Sequence, residues 1–384
     1  MNTVFYIDPQ SYNNLSVYDA SLLSHVHGFN MVYYHNVLYQ CERVKGVDYR
    51  GVFRYRREFT ALRKALSYGW SLFRIASDAV RLRPQVVHIQ WFRLWALDSL
   101  LLLFLRFLGA KIVHTAHNVQ PHDATPAEGR HYRWFYRHCD AIIVHTERSL
   151  GELRAFLNLP PEGQGRSGLP GRLCVIPHGM LPLPVDEADV ARRVAELECQ
   201  YQTQGRVVFT CMGMQNYYKG CDLVCQAWAS CPELHDGGRC LLFMVGEVQN
   251  ADLSPLKECP GVHIVDHMVS DLDFAAFMSL SSVTLLPYRR ISQSGVLFTA
   301  LQLGVPVLVS DVGGLTDPLR YGAVGWSIGE PSVQSLSDAM VYLAEHPTEL
   351  SNCRKKREAF AAVRSAFSWE LIGEKTSQLY RDCL

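Results

Sequence analysis

The chain has 384 residues, 48% of them hydrophobic and 19% charged, which excludes a disordered polymer, and its length favours two domains over one. Its 37 basic and 37 acidic side chains balance overall but not locally: residues 1–180 carry 21 basic and 13 acidic groups (net +8), and residues 181–384 carry 16 and 24 (net −8). Such a split points to two modules with different partners.

Short apolar strands alternate with helical stretches from end to end, the pattern of parallel α/β architecture. Predicted strands in the first half are 4–7, 31–34, 86–90, 111–115, 141–145 and 174–176. Those in the second half are 207–212, 241–245, 263–265, 282–286, 305–309 and 325–328. Six against six predicts two similar layers of sheet and helix. The N-terminus lacks a basic segment followed by a long apolar run, so no signal peptide is expected.

Between Arg50 and Arg83 nine basic residues, interleaved with aromatics such as Tyr49, Phe53, Trp70 and Phe73, face two acids, Glu58 and Asp78. The stretch suits either an anionic membrane surface or a solvated helical face packed by its aromatics. Leu94 to Ala110 is apolar but contains Asp98 and Arg106 and is shorter than the ~20 apolar residues of a membrane span, so a core helix is expected. The polar stretch 160–171 reads as a mobile loop, and the Pro/Gly-rich piece from Pro177 to Pro184 as the hinge. Near the end, Ser368 is placed to cap a final helix. The expected domains are 1–182, 183–365 and a terminal helix, 366–384, returning to the first domain.

Twelve cysteines without a Cys-x-x-Cys pair argue against zinc sites and a disulfide framework, so a cytoplasmic setting is expected. No His-Glu-x-x-His, Gly-x-Ser-x-Gly or Walker phosphate loop occurs. Asp271-Leu272-Asp273 has the spacing of a metal-binding pair, yet it opens a helical run, where two acids complement the helix dipole without a metal.

Ligands of open α/β sheets bind beyond the carboxyl ends of strands, so residues there come first. His117 follows the strand at 111–115 and either faces a cleft or caps a loop. After the strand at 207–212, Gly213 permits close backbone approach, and Lys219 either meets a phosphate or is a solvated loop cation. Ser294-Gly295-Val296 opens a helix whose N–H groups suit an anion; an ordinary loop-helix-strand unit is the competing reading.

Taken together, Val86–Trp91, Val113–Asp123, Cys139–Thr146, Val175–Gly179, Gly213–Gly220 and Ser294–Gly314 resemble the retaining glycosyltransferases of the GT-B fold, family 4 type, especially bacterial members that build surface polysaccharides and glycolipids. The resemblance implies two Rossmann-like domains facing across a cleft. A UDP- or GDP-sugar would sit in the C-terminal domain, and a saccharide or lipid-linked acceptor in the N-terminal one. It implies catalytic roles for His117 and Lys219, and donor contacts from Gly213, Asn216, Lys219, Ser294, Gly295 and Val296. Acceptor contacts would come from Asn13, Asn14, His117 and Asn118. No metal, cofactor or nucleic acid is implied, and peripheral contact with the inner face of the cytoplasmic membrane would run through residues 50–83.

Departures from the pattern are specific. Two glutamates usual at the donor helix are replaced by Ile291 and Thr299, so the ribose contact passes to a shorter, uncharged side chain. An arginine expected shortly before the lysine is replaced by Met214, Gln215 and Asn216, which leaves Arg289 or Arg290 as substitutes. The usual Gly-Gly turn after the first strand is replaced by a loop containing Asn13-Asn14, residues that tolerate left-handed backbone. These losses motivate the alternative of a non-catalytic subunit that binds nucleotide or saccharide for a partner enzyme.

Overall fold

The structure, a computed structural model, describes residues 1–12, 14–54, 59–120, 125–159 and 171–384. The chain forms two compact units, residues 1–179 with 368–384 and residues 180–367. The first unit contains β1 (Asn2–Asp8), β2 (Phe29–Asn36), β3 (Val47–Phe53), β4 (Val86–Ile89), β5 (Lys111–Thr115), β6 (Ala141–Val144) and β7 (Arg172–Val175). They form a parallel sheet of order β3-β2-β1-β4-β5-β6-β7, dressed by α1 (Asn14–His25), α2 (Ala61–Leu82), α3 (Trp95–Phe107), α4 (Pro126–Arg137) and α5 (Glu147–Leu157).

The second unit contains β8 (Val207–Met212), β9 (Cys240–Val245), β10 (Val262–Val265), β11 (Val283–Leu286), β12 (Val307–Val309) and β13 (Gly325–Ser327), ordered β10-β9-β8-β11-β12-β13. Its helices are α6 (Glu187–Tyr201), α7 (Cys221–Ser230), α8 (Pro232–His235), α9 (Asp271–Leu280), α10 (Gly295–Gln302), α11 (Val333–Glu345), α12 (Pro347–Lys355) and α13 (Arg357–Ala366). Helices on both faces bury the central strands completely, and every residue of β6 and β8 is buried. That burial explains their apolar runs, interrupted only by Thr210 in β8. In each sheet the strand order reverses beside its first strand, between β1 and β4 and between β8 and β11. Chain crossing to opposite faces there opens a crevice at the carboxyl ends, where such folds bind ligands.

The last helix, α14 (Trp369–Cys383), belongs to the first unit and is capped by Ser368, whose hydroxyl accepts the Leu371 N–H. Its Tyr380 hydroxyl lies 2.6 Å from His88 Nδ1, the His27 N–H donates to Ser377 at 3.0 Å, and Asp382 pairs with Arg172. A Cβ on Gly373 would lie 2.2 Å from the His25 carbonyl oxygen, so only glycine allows α14 to approach α1 this closely.

Three expectations change. The first sheet has seven strands, not six, because β3 was hidden inside the basic stretch; as an edge strand it carries Asp48 and Arg50, joined at 2.7 Å, and its charge obscures its alternation. Residues 50–83 therefore comprise an edge strand and α2, with Arg56 and Arg57 outside the described residues. The expected core helix α3 buries only one face: Leu101, Leu102 and Leu105 are covered, whereas Leu100 and Phe107 are 67% and 85% exposed. Hydrophobicity reports how apolar a helix is, not how many of its faces are covered. The expected loop at 160–171 lies outside the described residues except for Gly171.

Candidate functional site

In the second unit the loop after β8 folds over the start of α10. Gly213 has φ +86°, and a Cβ there would lie 2.9 Å from Lys219 Nζ and 3.6 Å from Val296 Cγ2. Glycine is thus what lets the lysine ammonium and the first turn of α10 meet. Lys219 is only 8% exposed, and its ammonium has no hydrogen bond or ion pair among the described residues; burial lowers its pKa. Asn216 shapes the loop, because its side chain accepts the Lys219 N–H at 3.2 Å.

Ser294 caps α10 by accepting the Leu297 N–H at 3.3 Å, and its hydroxyl lies 3.4 Å from that of Tyr288. The Tyr288 ring centre is 5.9 Å from Lys219 Nζ, so this buried tyrosine, absent from the sequence-based candidates, joins the two halves of the site. At the first turn, Gly295 and Val296 have no intrahelical acceptor for their N–H groups, as helix geometry requires. The turn below is fixed by Gly313: a Cβ would sit 1.8 Å from the Ile291 carbonyl oxygen, and the Gly314 N–H donates to Ser292. Thr299 is half-buried one turn further along α10.

Arg289 is engaged elsewhere. Its guanidinium binds both oxygens of Asp222 at 2.6 and 2.7 Å, donates to the Tyr217 carbonyl at 2.6 Å and covers the Tyr217 ring at 3.9 Å. Arg290 is exposed. Asp273 pairs with Arg193 at 2.7 Å and is held by Ser270, the N-cap of α9, as the helix reading of Asp271-Leu272-Asp273 requires. Among the described residues no group of three metal-ligating side chains occurs.

In the first unit His117 leaves the end of β5 and lines a cavity of about 110 Å³ with Gln90, Trp91 and Asn118. Its ring stacks on Trp91 at 4.7 Å; Nε2 lies 2.8 Å from the Gln90 side chain and Nδ1 lies 3.2 Å from His145 Nε2. The indole N–H of Trp91 has no acceptor among the described residues. Burial, followed by the charges of His145 and His178, holds the His117 pKa well below the usual value, so the ring is neutral near pH 7. Of the other acceptor candidates, Asn14 opens α1 and Asn13 lies outside the described residues.

Sequence reasoning missed a buried acid pair at the end of β1. Asp19 accepts from the hydroxyls of Tyr6 and Tyr33 at 2.7 and 2.5 Å, and burial pushes its pKa up to about 6. Burial and the Asp19 charge also raise Asp8. The signal was available, since Asp8 stands directly at a predicted strand end, but its partner comes from α1, eleven residues further on.

Two family models match the chain: "Glycosyltransferase Family 4" over residues 33–180 and "Glycosyl transferases group 1" over residues 205–346. Solved structures share the fold along the whole chain. Sucrose-phosphate synthase from Thermosynechococcus elongatus is 16% identical, with a TM-score of 0.71, covering 100% of this chain and 99% of that one. The Anabaena protein HepE in complex with UDP is 13% identical with a TM-score of 0.68, covering 100% of both chains. The α,α-trehalose 6-phosphate synthase from Burkholderia multivorans is 15% identical with a TM-score of 0.67, covering 100% and 97%. No curated protein matches.

Two parallel sheets with the same strand order define the GT-B architecture, and the two family models fall one on each unit. The chain is a glycosyltransferase of the GT-B fold, with a family 4 domain in its first unit and a group 1 domain in its second.

Proposed function

We propose that the protein is a retaining, metal-independent transferase that moves a sugar from a nucleoside-diphosphate sugar to a saccharide or lipid-linked acceptor in surface-glycan synthesis. The observation that carries this reading is the Lys219 ammonium, buried beside Gly213 and the first turn of α10 with no counter-ion among the described residues. A buried cation of this kind is costly unless an anion completes it, and a diphosphate does so. As the bond from the anomeric carbon to the diphosphate breaks, negative charge grows on the leaving oxygens. Lys219 and the N–H groups of Gly295 and Val296 stabilise that charge from fixed positions. UDP is favoured over GDP by the similarity to HepE, which was solved with UDP.

Arg289, held by Asp222, shapes the loop and leaves Lys219 as the principal cation of the site. Thr299 takes the position facing the ribose, and His117, Asn118 and the orphan Trp91 N–H offer polar groups to the transferred sugar or acceptor. Peripheral membrane contact through residues 50–83 is supported by the exposed apolar side chains of α2, although no helix among the described residues is long and apolar enough to cross a membrane.

The test is UDP release from a panel of UDP-sugars in the presence of saccharide acceptors, with Lys219→Ala as the control. Turnover lost in the variant supports the reading. Tight UDP binding without turnover by any acceptor would favour the non-catalytic subunit motivated by Ile291 and Thr299.

A further inference from the structure

Residues just beyond four neighbouring strands of the first sheet form one line of hydrogen bonds across its carboxyl edge. Gln90 follows β4, His117 lies two residues beyond β5, His145 follows β6 and Ile176 follows β7, in the order in which the strands pair. His145 Nδ1 lies 2.9 Å from the Ile176 carbonyl oxygen, His145 Nε2 lies 3.2 Å from His117 Nδ1, and His117 Nε2 lies 2.8 Å from the Gln90 side chain. Two rings fix the plane of His117: Trp91 stacks on it at 4.7 Å with an interplanar angle of 8°, and Tyr18 meets it edge-on at 5.3 Å.

A backbone carbonyl only accepts, so His145 carries its proton on Nδ1. Burial holds His145 at about 3 and His117 well below the usual value, so both rings are neutral near pH 7 and each has one N–H. His145 Nε2 is therefore bare and accepts from His117 Nδ1–H, which leaves the lone pair of His117 on Nε2. Moving the His117 proton to Nε2 would set two lone pairs against each other. They would meet between the rings at 3.2 Å or, were His145 also to change tautomer, before the Ile176 oxygen at 2.9 Å. The Gln90 amide also approaches His88 Nε2, at 3.0 Å. The two ends of an amide have the same shape, so the protons they meet orient it: NH2 towards His117, oxygen towards the N–H of His88. That N–H also reaches the Thr115 hydroxyl at 2.7 Å, and His88 Nδ1 accepts from the Tyr380 hydroxyl at 2.6 Å. Each donor in the line then points the same way, from Tyr380 to Ile176.

We infer that His145 is a positioning residue: braced by the Ile176 carbonyl, it holds His117 as the Nδ1–H tautomer, so that His117 meets its substrate as a hydrogen-bond acceptor through Nε2. In the free protein the Gln90 NH2 fills that acceptor, and a sugar hydroxyl entering the adjoining cavity of about 110 Å³ takes the same place. A hydroxyl fits because it donates, whereas a sugar ring oxygen would set a second lone pair against Nε2. Where chemistry depends on a tautomer, the neighbour that fixes it governs the rate. The inference rests on the proposed transferase reading for its substrate and gives the contact of His117 a direction.

Two readouts test it separately. In the full chain labelled with nitrogen-15, the His117 resonances, identified by their loss in His117→Gln, are expected near pH 7 to show a protonated Nδ1 and a bare Nε2. His145→Phe removes the acceptor and should move the proton to Nε2. His145→Gln, whose side-chain oxygen still accepts, should leave it on Nδ1. A wild-type proton on Nε2, or a tautomer unchanged in His145→Phe, overturns the inference without reference to activity. In UDP release with saccharide acceptors, His145→Phe is expected to lower kcat/KM by about tenfold or more, with His145→Gln within about threefold of wild type. UDP, which lacks the transferred sugar, should bind both variants as it binds wild type. The lost contact raises the donor KM where the transferred sugar supplies the hydroxyl and the acceptor KM where the acceptor does. Equal losses in the two variants, or no loss in either, also overturn the inference. Absence of UDP release by wild type with every acceptor would instead sink the transferase reading, leaving the spectra to decide the tautomer.

Discussion

Replacing Lys219 by Met separates a ligand-binding lysine from a structural one. Methionine keeps an unbranched stem of similar length, so packing against Tyr288 and Val296 is largely preserved, and only the charge is lost. In the free protein Lys219 is only 8% exposed, and its charge has no counter-ion among the described residues and a pKa lowered by burial. Removing it should leave the unfolding temperature equal or higher. In the proposed complex the ammonium faces a diphosphate in a largely desolvated site, where losing one preorganised charge-assisted contact costs about 2–4 kcal/mol. That corresponds to a dissociation constant for UDP weakened roughly 30- to 800-fold. Calorimetric titration with UDP and a thermal melt of the free protein read the two effects separately. A UDP affinity within about threefold of wild type, well under 1 kcal/mol, would refute the site. A variant that melts markedly lower would show instead that the lysine holds the loop together.

Other expectations follow from the same geometry. Gly313→Ala places a Cβ against the Ile291 carbonyl at φ +58°, and the backbone must move; a loss of about 3 kcal/mol or more in urea unfolding is expected, against near-neutrality if the turn is not built as described. Ser294→Ala removes the cap of α10 and should cost about 1 kcal/mol. Tyr380→Phe leaves His88 Nδ1 without its partner in a buried setting, which should cost about 1–3 kcal/mol in the unfolding of the first unit.

Acidification provides a fifth check. Burial holds His88 and His145 at about 3 and His114 and His178 at about 4, whereas an unfolded imidazole titrates near 6.5. The unfolded chain therefore takes up more protons, and stability present above pH 6.5 is lost as the pH falls towards 4, by about 1.4 kcal/mol per imidazole per pH unit. Asp19 and Asp98, raised to about 6, act in the opposite sense below pH 6, and Asp8, raised by burial and the Asp19 charge, also opposes the histidines. Four imidazoles outweigh three carboxylates, so the urea midpoint should fall from pH 7 to pH 5. A midpoint that is flat or rising over that range would contradict the buried neutral histidines.

Much of the scaffold was legible in the residue pattern. Buried parallel strands such as Val283–Leu286 and Val207–Met212 are almost wholly apolar runs, and the caps Ser294, Ser368 and Ser270 announce their helices, because both signals depend on neighbours a few residues away. The same locality exposed Gly213, Lys219 and Ser294 as polar or flexible residues at strand and helix ends. It failed at β3, whose edge position makes charge compatible with a strand, and at α3, whose apolar sequence gave no sign that one face is uncovered.

What the sequence by itself determined was the alternation of strand and helix, the phosphate-suited turns and the class of protein they resemble. Only the tertiary structure decided which charges are spent and which are available. Arg289, a natural substitute cation in the sequence, is bound to Asp222 sixty-seven residues away. Lys219, chemically no different from any loop lysine, is buried beside Gly213 and Val296 with no hydrogen bond or counter-ion for its ammonium among the described residues. A charge's partner is set by long-range packing, and its energy by the burial that packing imposes, so neither is written in the residues adjacent to it.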